Sequence, residues 1–191
     1  MEAKKEYSFE LQEEMLSLLE TEFSPLEIGA KLAAAVNGKS SGEISETGKE
    51  IFLDYGKRWA QRVMDLGESY MDRTYEILRE SIDETGSPVF PLIPQRFIEI
   101  AYLSTQRIST LPIIENNVRR LIFQIQNCRT YQAILERCGE NTAKLLVCRH
   151  GCLSLGEKIM EGLSLNGVEV GMSARTPDDG HCRFVLKNTQ G

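Results

Sequence analysis

Residues 1–127 contain neither cysteine nor histidine. Thiolate–imidazole chemistry, whether soft-metal ligation or a Cys–His nucleophile pair, is therefore excluded from the first two thirds of the chain. Long apolar runs are also missing. Leu32–Val36 is among the longest, so no membrane-crossing helix is expected. The charged start, Met1 to Glu6, leads into an acidic amphipathic stretch with no apolar core and no small-residue cleavage site. No signal peptide is expected, and the expected location is the cytoplasm. Five cysteines is an odd number, and disulfides are not expected in a reducing compartment. No Ser-His-Asp arrangement, phosphate-binding loop or dinucleotide fingerprint is present. Dense Lys/Arg blocks are absent too. Residues 1–95 carry 10 basic and 19 acidic side chains, a net of −9; residues 96–191 carry 12 and 9, a net of +3. Nucleic-acid binders show a denser basic footprint, so nucleic acid is not an expected partner.

What is present is an ordinary globular composition, 41% hydrophobic and 26% charged over 191 residues, enough for one compact domain. Phe9, Leu11, Met15, Leu18, Leu19 and Phe23 follow a helical period over residues 8–22. Ser24-Pro25 opens a second helix to about Val36, with proline at its first position. Asn37-Gly38 and the following Lys-Ser-Ser-Gly42 break the pattern. This marks residues 1–42 as an N-terminal helical arm and 43–191 as the main domain. Residues 44–84 then carry a long stripe of Ile51, Tyr55, Trp59, Val63, Leu66, Tyr70, Tyr75 and Leu78. Such a stripe is a buried packing face or one wall of a ligand pocket.

A second break at Gly86-Ser-Pro88 precedes a helix expected over Gln95–Gln106. Pro112 and Asn116-Asn117 signal a turn. Val118, Leu121, Phe123 and Ile125 then alternate with polar residues, predicting a strand that ends at Cys128. Thr130–Cys138 predicts a short helix closed by Gly139. Asn141–Leu163 predicts a long one capped by Asn141. A strand over Leu165–Ala174, a Thr176–Gly180 turn and a strand over Cys182–Leu186 close the chain. The fold class is α+β: helices packed on one face of a small antiparallel sheet.

All five cysteines and both histidines lie between Cys128 and Cys182. Cys148 and Cys152, four apart on the expected helix, point the same way. Cys128 ends one strand and Cys182 begins another, so all four thiols can meet where the helix crosses the sheet. Such a set suits zinc or an iron–sulfur cluster. The alternative at the same positions is packing as small hydrophobes, which is also the reading of Cys138. His150 points away from the helix cysteines, and His181 sits in a turn. A nucleophilic Cys148 or Cys152 would need a lowered pKa, which Arg149 and His150 could supply.

The strand ending in Cys128, the helix with Cys148, Cys152 and Gly156, the Asp-Gly turn and Cys182-Arg-Phe184 resemble the 4-vinyl-reductase-like small-molecule-binding domains. They are also similar to the L-2-amino-thiazoline-4-carboxylic acid hydrolase family. Both are related in fold to haem nitric-oxide-binding domains and TRAPP tethering subunits. The resemblance spans roughly residues 118–187. It implies a helical bundle on an antiparallel sheet, a pocket between them for a small apolar molecule, and cysteines as candidate metal ligands. Cys128, Cys182 and one of Cys148 or Cys152 match by position. The family's further cysteine does not: Ser173-Ala174 stands there, and the second helix cysteine would have to replace it. His150 matches no haem-ligand position.

Three functions follow as expectations. The first is a small-molecule sensor or carrier with a pocket lined by Tyr55, Trp59, Tyr70 and Phe123. Its metal site would be Cys128, Cys148, Cys152 and Cys182. The second is a cysteine- or metal-dependent hydrolase or reductase of a small cyclic substrate. The third is a homodimer docked through the acidic N-terminal helices.

Overall fold

The computed structural model describes residues 12–70, 92–165 and 167–189. Helix α1 (Glu13–Glu22) opens with two glutamates, which complement the positive end of the helix, and buries Met15 and Leu19. Helix α2 (Pro25–Val36) has proline at its start, where the lost N–H costs nothing, and buries Ile28, Leu32 and Val36. Helix α3 (Ser41–Ser69) begins with a reciprocal capping box between Ser40 and Glu43. The Ser40 hydrogen bonds hold the Glu43 carboxyl below its ordinary range. The buried stripe of α3 runs Ile44, Gly48, Phe52, Tyr55, Trp59, Val63 and Leu66. Phe52 is the more deeply buried, and Ile51 is half-buried and packs against the same core. The expected start of the first helix at residue 8 and the stripe at Tyr75 and Leu78 lie outside the described residues, as does the break at Gly86-Ser-Pro88.

Helix α4 (Leu92–Leu103) begins three residues earlier than the sequence pattern suggests. It leads through a single 3-10 turn, Ile108–Thr110, into strand β1 (Ile113–Asn116). The turn expected at Pro112 to Asn117 hides this short edge strand. The turn itself is Asn117 to Arg119, Asn116 pairs with Leu121 as the last residue of β1, and the strand is too short to show alternation. Strand β2 (Arg120–Gln126) follows, with Leu121, Phe123 and Ile125 buried. Then come helix α5 (Arg129–Cys138) and the short helix α6 (Glu140–Leu145).

The long helix expected over Asn141–Leu163 is not continuous. The chain breaks after Leu145 and restarts as α7 (Arg149–Gly162), with Cys148 at its N-cap. Asn141 lies inside α6 rather than capping it; Gly139, at φ 76°, occupies the cap. The break has a packing cause. It lets Leu146 turn inward to 1% exposure against Gly48 of α3, where any β-carbon would come within 2.6 Å of it.

Strand β3 (Val168–Ala174) and strand β4 (His181–Asn188) flank one helical turn, α8 (Thr176–Asp179), closed by Gly180 at φ 72°. The sheet order is β1-β2-β4-β3, antiparallel throughout. Phe123 pairs with Phe184 and Ile125 with Cys182, so odd residues of β2 and even residues of β4 share the helix-facing side. The Phe123 and Phe184 rings stack at 4.9 Å. The fold is α+β, with helices against one face of a four-stranded sheet. Residues 12–42, expected as an arm, contribute Met15, Leu19, Phe23, Ile28 and Leu32 to the same core as the sheet. Among the described residues no helix is long and apolar enough to cross a membrane.

Candidate functional site

Three elements build a cavity at one end of this core. Helix α3 and helix α7 cross with almost no space between them. A β-carbon on Gly56 would lie 2.2 Å from the Gly151 carbonyl oxygen, so two glycines permit the backbones to touch. Ser154 ties the crossing by donating to the Leu53 carbonyl at 3.2 Å. This closeness sets Cys148 and Cys152, on either side of Gly151, beside Phe52 and Tyr55. From the sheet come Ile125 and Cys182. Asn127, at φ 50°, turns the chain sharply out of β2 and brings Cys128 to the N-cap of α5.

Cys128, Cys148, Cys152 and Cys182 all line this one cavity, together with Tyr55, Trp59, Tyr102, Gln106 and Met172. Its free space totals about 510 Å³, part of it open to solvent. The accessible lining is almost wholly apolar. Tyr55 and Trp59 thus stand where the sequence reading puts them. Tyr70 and Phe123 are not among the lining residues. Tyr70 is the half-buried C-cap of α3. Phe123 lines a separate cleft with Ile98, Leu103, Ile113 and Leu121.

Burial opposes ionisation of three of these thiols, Cys128, Cys148 and Cys152. Burial pushes the Cys128 thiol up to about 11. Burial, and then the neighbouring Cys128 and Cys182, push Cys148 far up. Cys152 is raised by burial and by Cys148, Cys128 and Cys182 in turn. Cys128, Cys148 and Cys152 each keep some accessible surface. All three line the cavity. Thiols of this kind are poor nucleophiles, because the thiolate is the reactive form. His150 does not line the cavity; burial, then Arg149 and Lys49, lower its pKa. His181 opens β4 with Nδ1 3.0 Å from the Asp179 carbonyl. Cys138 is half-buried against the core, outside the cavity.

The four thiols surround the cavity without converging on one point. Among the described residues no group of three or more His, Cys, Asp or Glu side chains stands close enough to hold a metal ion. Tetrahedral zinc needs sulfur donors about 2.3 Å from a common centre. The arrangement is therefore not a ready-made zinc or iron–sulfur site.

The hydrogen bonds around the cavity fix its polar groups. Tyr55 donates to the Phe23 carbonyl at 2.9 Å. Gln106 accepts from the Arg129 backbone N–H at 3.0 Å, which turns its side-chain nitrogen toward Cys128 Sγ, 3.8 Å away. The Thr176 hydroxyl and Cys182 Sγ lie 3.1 Å apart. The Tyr102 hydroxyl interacts with the Cys152 thiol. Phe52, Tyr102, Gln106 and Met172 are among the wall residues that sequence reasoning missed. Gln106 carried a faint signal, as a polar residue closing an apolar helical run. Met172 was read only as a strand position.

No family model, no curated protein and no solved structure matches this chain.

Proposed function

We propose that this chain is a cytoplasmic small-molecule-binding module, a sensor or carrier, whose site is the thiol-lined cavity between α3, α7 and the sheet. The observation that carries this reading is the meeting of four cysteines from three separate segments around one apolar space. Concave, apolar sites with a few placed polar groups are the usual form of a ligand pocket. The raised thiol pKa values favour binding over cysteine-nucleophile catalysis. Five unpaired cysteines suit a reducing compartment.

Metal loading is the second reading, and the mutual influence of the thiols supports it. Cys182 raises the deprotonation cost of Cys128, both raise that of Cys148, and all three raise that of Cys152; a soft cation among them would reverse that cost. Loading requires the sulfurs to close in from their present positions. Metal analysis and an absorption spectrum of protein purified without oxygen test the pair of readings together. Zinc, a cluster band or a co-purified organic molecule supports a binding role. A metal-free, colourless protein with an empty cavity, whose Cys148→Ser and Cys182→Ser variants keep full stability, would sink it. Homodimerisation through the acidic helices is tested by size exclusion with light scattering on the full chain. A monomer refutes it.

A further inference from the structure

We infer that the cavity takes a compact, uncharged, mostly apolar molecule bearing one hydrogen-bond acceptor, and that the Trp59 indole N–H recognises that acceptor. The inference rests on the cavity being a small-molecule site, and it names the class of molecule. Trp59 lines the cavity, is 3% exposed, and its Nε1 has no hydrogen-bond partner. A buried donor without a partner is costly, and native folds rarely leave one. The rings around it do not replace an acceptor. Phe23 stacks on the indole at 5.9 Å, and Tyr55 and Tyr102 sit 5.6 Å away at 58° and 77°. An N–H over a ring gains only a weak contact.

Other polar groups of the wall are engaged. The Gln106 amide oxygen accepts from the Arg129 N–H, and its N–H₂ donates to Thr105 Oγ1 at 3.5 Å and Cys128 Sγ at 3.8 Å. Tyr55 has spent its O–H on the Phe23 carbonyl. The Trp59 indole N–H is therefore the unpartnered buried donor of the wall, and its complement is an acceptor such as a carbonyl oxygen or an aromatic ring nitrogen. Neutrality follows from the surroundings. Aspartate and glutamate are absent from the lining, the one lining cation, Arg149, is itself exposed, and the remaining wall is mainly apolar. An ion would give up its hydration there without compensation.

The chain contains a single tryptophan, so one indole N–H resonance reports on the site. The experiment titrates the full-length, reduced, ¹⁵N-labelled protein with pyridine and with benzene, two rings of one shape that differ by an acceptor nitrogen. Methyl-labelled methionine lets the Met172 signal register entry of either ring. Pyridine is expected to move the indole resonance downfield and to bind about tenfold more tightly than benzene, the ratio that one neutral hydrogen bond confers. Trp59→Phe is expected to bring the ratio of the two affinities to about one, whatever it does to each affinity alone. Equal binding of both probes to the wild type, or pyridine binding with an unmoved indole signal, overturns the acceptor inference and leaves the cavity reading intact. Entry of neither ring overturns both. These wild-type outcomes decide the matter even where Trp59→Phe fails to fold.

Discussion

Gly56→Ala tests the contact on which the cavity depends. The added methyl would sit 2.2 Å from the Gly151 carbonyl oxygen and 3.0 Å from its carbon. Ordinary contact begins near 3.4 Å, so α7 must retreat from α3 by about 1.2 Å, and the obstacle is backbone rather than a side chain that can swing aside. Overpacking of this kind costs about 3 kcal/mol, the upper end of its usual range. Alanine recovers about 1 kcal/mol of helix propensity. The expected net loss is about 2 kcal/mol, or about 4–8 °C in melting temperature for a chain of this size. Gly42→Ala is the matched control. It lies on the first turn of the same helix with nothing within 4 Å of the added methyl, and it is expected to raise stability by up to about 1 kcal/mol. Urea unfolding of both variants under reducing conditions, with unchanged slopes, provides the comparison. Because Cys148 and Cys152 flank Gly151, the same displacement should also weaken any ligand of the cavity. A Gly56→Ala protein as stable as Gly42→Ala would refute the close crossing and the cavity geometry built on it.

Three further predictions concern the same region. The folded state keeps the Cys128 proton up to about pH 11, whereas the unfolded chain releases it near 9.0, so its stabilising effect is complete below pH 9 and is lost as pH climbs through 11. The difference is about 3 kcal/mol; urea midpoints of wild type and Cys128→Ala measured from pH 8 to 11 should converge by that amount, and parallel curves would contradict the assignment. Phe184→Ala removes a 1%-exposed ring stacked on Phe123 and is expected to cost about 3–5 kcal/mol by the same unfolding assay, with a loss under 1 kcal/mol counting against the core as described. Gly180→Ala must hold a left-handed backbone at φ 72° and should lose about 1–2 kcal/mol, whereas an unchanged midpoint would mean that the turn before Cys182 relaxes freely.

Periodicity revealed the elements long enough to show it. Helix α2 is bounded by a proline and a break, and α3 carries the aromatic stripe, so both were legible, although the capping box that starts α3 at Ser41 was not read. The alternation of β2 and the Asp-Gly turn before β4 were legible for the same reason. Strand β1 was not, because four residues around a bulge between Ile113 and Glu115 show no period of two. The break between α6 and α7 was invisible as well. Residues 141–163 contain no proline, and the chain bends there because Leu146 is drawn into a slot above Gly48, which only the folded partner defines. The thiol cluster survived that error. Cys148 moves from helix face to N-cap, yet one turn of helix still separates it from Cys152, so both reach the same space.

The segregation of cysteine to the last third of the chain acquires a structural meaning from this cavity. The sulfur side of the wall comes from β2's exit, the α7 start and β4, all within residues 128–182. The aromatic side comes from Phe52, Tyr55, Trp59 and Tyr102, all in the region that contains no cysteine. Neither part encloses the space alone. A lone C-terminal sheet-and-helix unit would expose Cys128, Cys148 and Cys152 to water, where their pKa values would fall toward the ordinary range. Docking α3 against α7 is what keeps these three desolvated. The two facing glycines at that crossing are therefore as much a part of the site as the cysteines, although they carry no functional group of their own.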